Sequence, residues 1–179
     1  LTVERGLVIP SADTTMMKAA LKTASPYVLL TDVTLATVCP KAREVVDAAK
    51  RVVVHVDMAP GYTQFRRFVI LEQQCGVDTV ISSNAERLTL RSEVAQHDFR
   101  IFLLDSIALR TALRILEKLR TDAVEILPGP MAKGAYQSVR STDPKRTVIA
   151  GGFIRSQTMV NDLFSAGFDA VTTSFRPLW

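Results

Sequence analysis

The chain reads Ile149-Ala150-Gly151-Gly152-Phe153-Ile154-Arg155 and, one helix length later, Asp169-Ala170-Val171-Thr172-Thr173-Ser174. Each piece is a short apolar run that ends in small, hydrogen-bonding residues. Two such pieces around a helix-sized segment are how a parallel β/α barrel sets neighbouring loops about a phosphate. Glycines let main-chain N–H groups approach an anion closely, and a helix N-terminus or an amide nest supplies favourable partial charge. In such barrels the phosphate site often follows strands seven and eight.

Working outward, apolar runs alternate with amphipathic segments along the whole chain, the pattern of a parallel sheet. Strands are predicted at residues 7–9, 27–32, 52–57, 79–82, 101–105, 123–127, 148–151 and 170–173. Most are dense in Val, Ile and Leu, as buried parallel strands are. Pro40 fits a first helical position, Ser106 a helix N-cap, and Gly76 and Gly167 helix C-terminal stops. Gly76 follows a helix expected to hold Phe68, Leu71 and Glu72. Only residues 174–179 follow the last strand, too few for a full helix. The expected fold is α/β: a compact TIM-like barrel of about eight parallel strands and seven helices, its last helix missing or truncated. The chain, residues 1–179, is expected to be a single domain, short against the roughly 250 residues of a typical barrel.

Composition narrows the function. Hydrophobic residues make up 47% and charged residues 22%, an ordinary globular balance. No apolar run approaches the roughly 18 residues of a membrane span, and Glu4 before a very short apolar stretch does not resemble a signal peptide. No membrane role is expected. Cys39 and Cys75 lack neighbours at metal-ligand spacing, so reduced thiols in a cytoplasmic protein are the simplest expectation. The net charge of +4, with 15 arginines among 22 basic residues, favours an anionic partner.

Polar residues stand at nearly every predicted strand end: Asp32, His55 with Asp57, Ser82-Ser83, Asp105, Glu125, Gly151-Gly152 and Thr172-Thr173. In a barrel these ends converge on one mouth, where carboxylates need partners from a ligand, water, a metal or Arg155. The bland reading of Asp32 and Asp105 is that each caps a following helix. His55 and Asp57 lie two residues apart and so share a strand face; they could ligate a metal with Glu125 or Asp32. An oriented hydrogen-bonding pair is the commoner outcome. The other histidine, His97, falls on an expected distant helix, so no metal is expected. No lysine falls at a strand end, which argues against Schiff-base chemistry. Asp57 or Glu125 could act as a general base, leaving a small barrel isomerase or lyase on a phosphorylated compound as the alternative function. No nucleophile–base–orienter set is legible, and no catalytic residue is assigned.

The segments Val54-His55-Val56-Asp57, Phe102-Leu103-Leu104-Asp105-Ser106, Glu125-Ile126-Leu127-Pro128-Gly129, Ile149 to Arg155, and Val171-Thr172-Thr173-Ser174 with Leu178-Trp179 resemble the glycerol-3-phosphate-responsive antiterminators. The likeness runs in order from about Ile9 to Trp179. It implies a barrel regulator without catalysis or cofactor, which senses glycerol 3-phosphate and acts on single-stranded leader mRNA of glycerol metabolism genes. Carried over by position, Gly151, Gly152, Arg155, Thr173 and Ser174 would hold the phosphate. His55, Asp57, Asp105 and Glu125, with Asp32 beside them, would line the cavity and address the glycerol hydroxyls. Two stretches depart from the family pattern. Where family members usually carry a basic residue, this chain has Asn84 after Ile81-Ser82-Ser83, and Gly61-Tyr62-Thr63-Gln64-Phe65-Arg66-Arg67 stands where Gly and acidic residues are usual. Arg66 or Arg67 is the candidate replacement cation.

Arginines concentrate on three successive expected helices: Arg66 and Arg67, then Arg87 and Arg91, then Arg110 and Arg114 with Lys118. The last two sets repeat every four residues, so each follows one helix face, and together they are the expected RNA band. The bland reading is a solvated surface, because Glu72, Glu86, Glu93 and Glu117 share these helices. Self-association into a homodimer is left open by the sequence.

Overall fold

The computed structural model describes residues 3–58, 74–89 and 95–179. Eight parallel strands close into a barrel in sequence order. They are β1 (Leu7–Ala12), β2 (Tyr27–Leu30), β3 (Arg51–His55), β4 (Thr79–Ser82), β5 (Gln96–Phe102), β6 (Ala123–Leu127), β7 (Thr147–Gly151) and β8 (Ala170–Thr173). β8 closes on β1 through Leu7 opposite Ala170 and Ile9 opposite Thr172. Closure leaves no strand edge unpaired.

Six helices are seen among the described residues: α1 (Met17–Ala20), α2 (Val38–Asp47), α3 (Ala85–Thr89), α4 (Ser106–Leu116), α5 (Gly129–Thr142) and α6 (Gln157–Ser165). The expected helix with Phe68, Leu71 and Glu72 lies outside the described residues, as do Arg66, Arg67 and Arg91. Past β8 the chain makes a 3-10 turn, Arg176–Leu178, and the Trp179 indole N–H donates to the Thr173 carbonyl at 2.8 Å.

Alternation along each strand divides the core. Ile9, Leu29, Val53, Ile81, Ala123, Ile149 and Ala170 fill the barrel interior. The outward residues Val52, Val54 and Val80 pack on α1 and α2, while Phe99, Ile101, Val124, Ile126 and Val148 pack under α4, α5 and α6. Asp98 shares the interior layer, in register with Ile81 and Ala123, and burial pushes its carboxyl above the usual range.

Four expectations differ from the structure. β5 begins at Gln96, five residues before the predicted start, because it carries His97, Asp98 and Arg100 rather than an apolar run. His97 therefore sits buried on this strand and not on a helix. Asp105 caps α4, accepting from the Ala108 N–H at 2.7 Å, so the cap lies one residue earlier than Ser106. The thiols are not free: a disulfide joins Cys39 to Cys75 with Cα atoms 4.5 Å apart, a pairing across 36 residues that local spacing cannot reveal.

At the end of the barrel away from the mouth, Asp169 accepts from the Val148 N–H at 2.8 Å, Arg140 at 2.7 Å and Arg5 at 3.3 Å. Burial alone would lower the Arg140 pKa, but Asp169 and Tyr136 raise it on balance. Asp169→Ala is expected to cost about 2–3 kcal/mol in chemical denaturation, the scale of lost charge-assisted hydrogen bonds to a buried carboxylate. Ligand affinity at the opposite end should be unchanged.

Candidate functional site

The strand ends form a mouth whose floor is a row of inward-facing polar residues: His55, Arg100, Glu125 and Thr172, with Gly151 on β7 between Glu125 and Thr172. Glu125 is completely buried. One of its oxygens accepts from Arg100 Nε at 2.6 Å and the other from the Thr172 hydroxyl. That second bond passes across β7 where Gly151 stands. A Cβ on Gly151 would lie 2.5 Å from both Glu125 Oε1 and Thr172 Oγ1. A glycine is required there for a side-chain beam that ties β5, β6 and β8, over and above any approach of its amide to an anion.

Asp57 lies past the end of β3 in the 3-10 turn Val56–Met58. Its carboxylate accepts from the hydroxyls of Ser82 and Ser83, from the Ser83 N–H, and from Arg87 Nη1 at 3.0 Å. Burial pushes this carboxyl up, but the nearby His55 ring and the hydrogen bonds from Ser82 and Ser83 outweigh it and hold the group well below the usual carboxylate range. Asp57 thus works as a clasp between β3, β4 and α3. His55, 5% exposed, is placed 3.6 Å from Asp57, and its Nε2 makes no hydrogen bond among the described residues.

The β7–α6 and β8 loops meet as the sequence pattern requires. Gly151 is in register with Thr172, and the Thr173 hydroxyl donates to the Ile154 carbonyl at 2.7 Å. Gly152 and Phe153 are both left-handed, at φ 72° and 59°. For a phenylalanine that backbone is strained, and Phe153 is 73% exposed, so no burial of its ring offsets the strain. Among the described residues the N–H groups of Phe153, Ile154, Arg155 and Ser174 have no acceptor. Ser156 caps α6 by accepting from the Met159 N–H at 3.2 Å, which fixes the helix N-terminus directly behind this loop.

The other sequence candidates stand apart from this arrangement. Asp32 is exposed and bonds Thr14 at 3.3 Å, and the exposed Asp105 is occupied as the α4 cap. Arg155 and Ser174, by contrast, belong to the loop pair just described, and their side chains are exposed at its rim. Asn84 caps the N-terminal end of α3 through the Glu86 N–H at 3.0 Å. Of the expected RNA band, Arg87 is turned to Asp57, while Arg110 and Arg114 are exposed on α4. Arg100 was missed by sequence reading. It lies in a strand whose polar residues mask the strand pattern, and its inward register only becomes visible against Glu125. Among the described residues no group of three or more His, Cys, Asp or Glu side chains could hold a metal ion.

Residues 8–179 match the profile of the family described as glycerol-3-phosphate responsive antiterminator. The chain is 25% identical to a glycerol uptake operon antiterminator regulatory protein from Listeria monocytogenes, with a TM-score of 0.91 over 100% of this chain and 97% of that one. A glycerol uptake operon antiterminator-related protein from Thermotoga maritima shares the fold, at 23% identity and a TM-score of 0.85 over 99% of each chain. The uncharacterized protein YgcP of Escherichia coli (strain K12) is 24% identical over 93% of this chain and 87% of its own. The tryptophan synthase alpha-subunit of Pyrococcus furiosus shares the barrel alone, at 15% identity and a TM-score of 0.76 over 96% of this chain and 88% of that one. The chain belongs to the glycerol-3-phosphate responsive antiterminator family.

Proposed function

We propose that this family member senses glycerol 3-phosphate at the barrel mouth and acts in the cytoplasm on single-stranded leader mRNA of glycerol metabolism genes. The observation that carries the reading is the set of unpaired N–H groups at Phe153, Ile154, Arg155 and Ser174, held together by the Thr173–Ile154 bond. Unpaired amides beside a helix N-terminus favour an anion. Arg155 at the same loop adds a guanidinium, suited to phosphate oxygens. A regulator is favoured over an isomerase or lyase because Asp57 and Glu125, the two candidate bases, are both fully engaged by protein donors. A base so engaged is not free to take a substrate proton.

Calorimetric titration tests the sensing step. Glycerol 3-phosphate should bind and glycerol should not. At a hundredfold excess over Kd the ligand should stabilise the protein by about 2.7 kcal/mol. No heat with any phosphorylated triose or polyol would refute the reading, and turnover of one would favour the enzyme.

For RNA, the exposed Arg110 and Arg114 of α4, with Lys118 just past its end, are the outward-facing described part of the basic band. With about five phosphates contacted, log K against log salt concentration should slope near −3.5 for a single strand. Arg110→Ala should lower that slope by roughly 0.7, and Arg87→Ala should leave it unchanged because Arg87 serves Asp57. A salt-independent affinity would count against RNA binding by this face.

A further inference from the structure

Arg100 stands opposite Glu125 on the inner face of the barrel and is 6% exposed. Its single hydrogen bond among the described residues uses Nε, at 2.6 Å from Glu125 Oε2. The two terminal nitrogens are left without an acceptor there. Four of its five N–H donors are thus open to acceptor oxygens that arrive at the mouth. Glu125 holds the fork in one orientation, since its own second oxygen is pinned by Thr172 across Gly151. One strand, β6, separates Arg100 from Gly151, two strand spacings or about 10 Å around the sheet at ~4.8 Å per strand. A ligand whose phosphate rests on the β7 and β8 loops reaches toward Arg100 with its other end. The buried His55 ring lies on the same inner face of the barrel, with its Nε2 3.6 Å from Asp57.

We propose that Arg100 contacts the ligand at the end remote from the phosphate, its Nη pair donating to oxygens there, and that Glu125 is its positioning residue. This deepens the sensing function proposed above and rests on it. It also changes which groups read the polyol. Donors at the floor grip the oxygens, whereas the carboxylates serve to aim those donors.

The test is titration of the full chain with glycerol 3-phosphate and, separately, with inorganic phosphate. Arg100→Lys keeps the charge and loses the planar fork. Arg100→Met combined with Glu125→Gln replaces the ion pair by a neutral one of similar size, so no buried charge is stranded. The double variant should weaken glycerol 3-phosphate at least tenfold while phosphate alone changes less than twofold. Arg100→Lys should weaken glycerol 3-phosphate at least fivefold with the same insensitivity to phosphate, and it decides the matter alone where the double variant does not fold. Unchanged affinity for glycerol 3-phosphate, or equal losses for both ligands, overturns the role of Arg100 and leaves the sensing function standing. An unaltered chain that binds neither ligand overturns both.

Discussion

Gly151→Ala is expected to destabilise the protein by about 3 kcal/mol, although it adds one methyl group to a position with ordinary backbone. The methyl would lie 2.5 Å from Glu125 Oε1, 2.5 Å from Thr172 Oγ1 and 3.1 Å from Glu125 Cδ. None of these atoms is the free end of a flexible chain. Glu125 is buried and held by Arg100, and Thr172 is part of β8. Either the hydroxyl–carboxylate bond opens or the carboxylate moves off Arg100. Loss of a hydrogen bond to a charged group costs about 1.5–3 kcal/mol, and overpacking a tight site about 1–3 kcal/mol. For a domain of this size about 3 kcal/mol lowers Tm by roughly 6–12 °C.

A double-mutant cycle separates this account from its rival. If Gly151 served only to let its amide approach a phosphate, alanine would weaken ligand binding and leave the apo protein intact. On the beam account, Thr172→Ala removes one of the two colliding atoms. The cost of Gly151→Ala should then fall by at least about 1 kcal/mol in the Thr172→Ala background, the coupling expected of residues in direct contact. A Gly151→Ala protein as stable as the original would sink the beam.

This position also shows what sequence could and could not disclose. Parallel strands covered on both faces read as Val and Ile runs, so β4, β6 and β8 are legible to the residue. β5 is not, because its inward face carries Asp98 and Arg100 and its outward face begins with His97. Polar residues in a barrel interior are tolerated when they are paired across strands, and pairing is a property of register rather than of local pattern. The same limit hid Arg100 and made Asp57 look like a free carboxylate. The sequence makes Gly151 conspicuous through its neighbouring loop, but the reason it must be glycine lies on β6 and β8. Cys39 and Cys75 escaped for an equivalent reason: their nearness is made by the fold between them.

Asp57→Ala is the second large effect, about 2–4 kcal/mol at neutral pH, with a pH signature of its own. The substitution strands Arg87, whose side chain is only 24% exposed, and frees Ser82 and Ser83 from the carboxylate that gathers them. Several charge-assisted bonds are lost together, and their sum is discounted because hydroxyls and the guanidinium tip turn to water. The carboxyl is below the ordinary value in the folded protein: burial works against this, and the nearby His55 ring with the bonds from Ser82 and Ser83 prevails. Its unfolded value is about 3.9. A group depressed on folding contributes its full stability above the unfolded value and loses it as pH falls through the folded one. Wild type and Asp57→Asn should therefore differ by a constant amount from pH 5 to pH 8, and the gap should close only below about pH 4. Urea unfolding across that range measures it. A gap that changes between pH 5 and pH 8 would mean that Asp57 is not held as the clasp requires. A loss of glycerol 3-phosphate affinity with no loss of stability would return Asp57 to the role of a ligand-facing carboxylate.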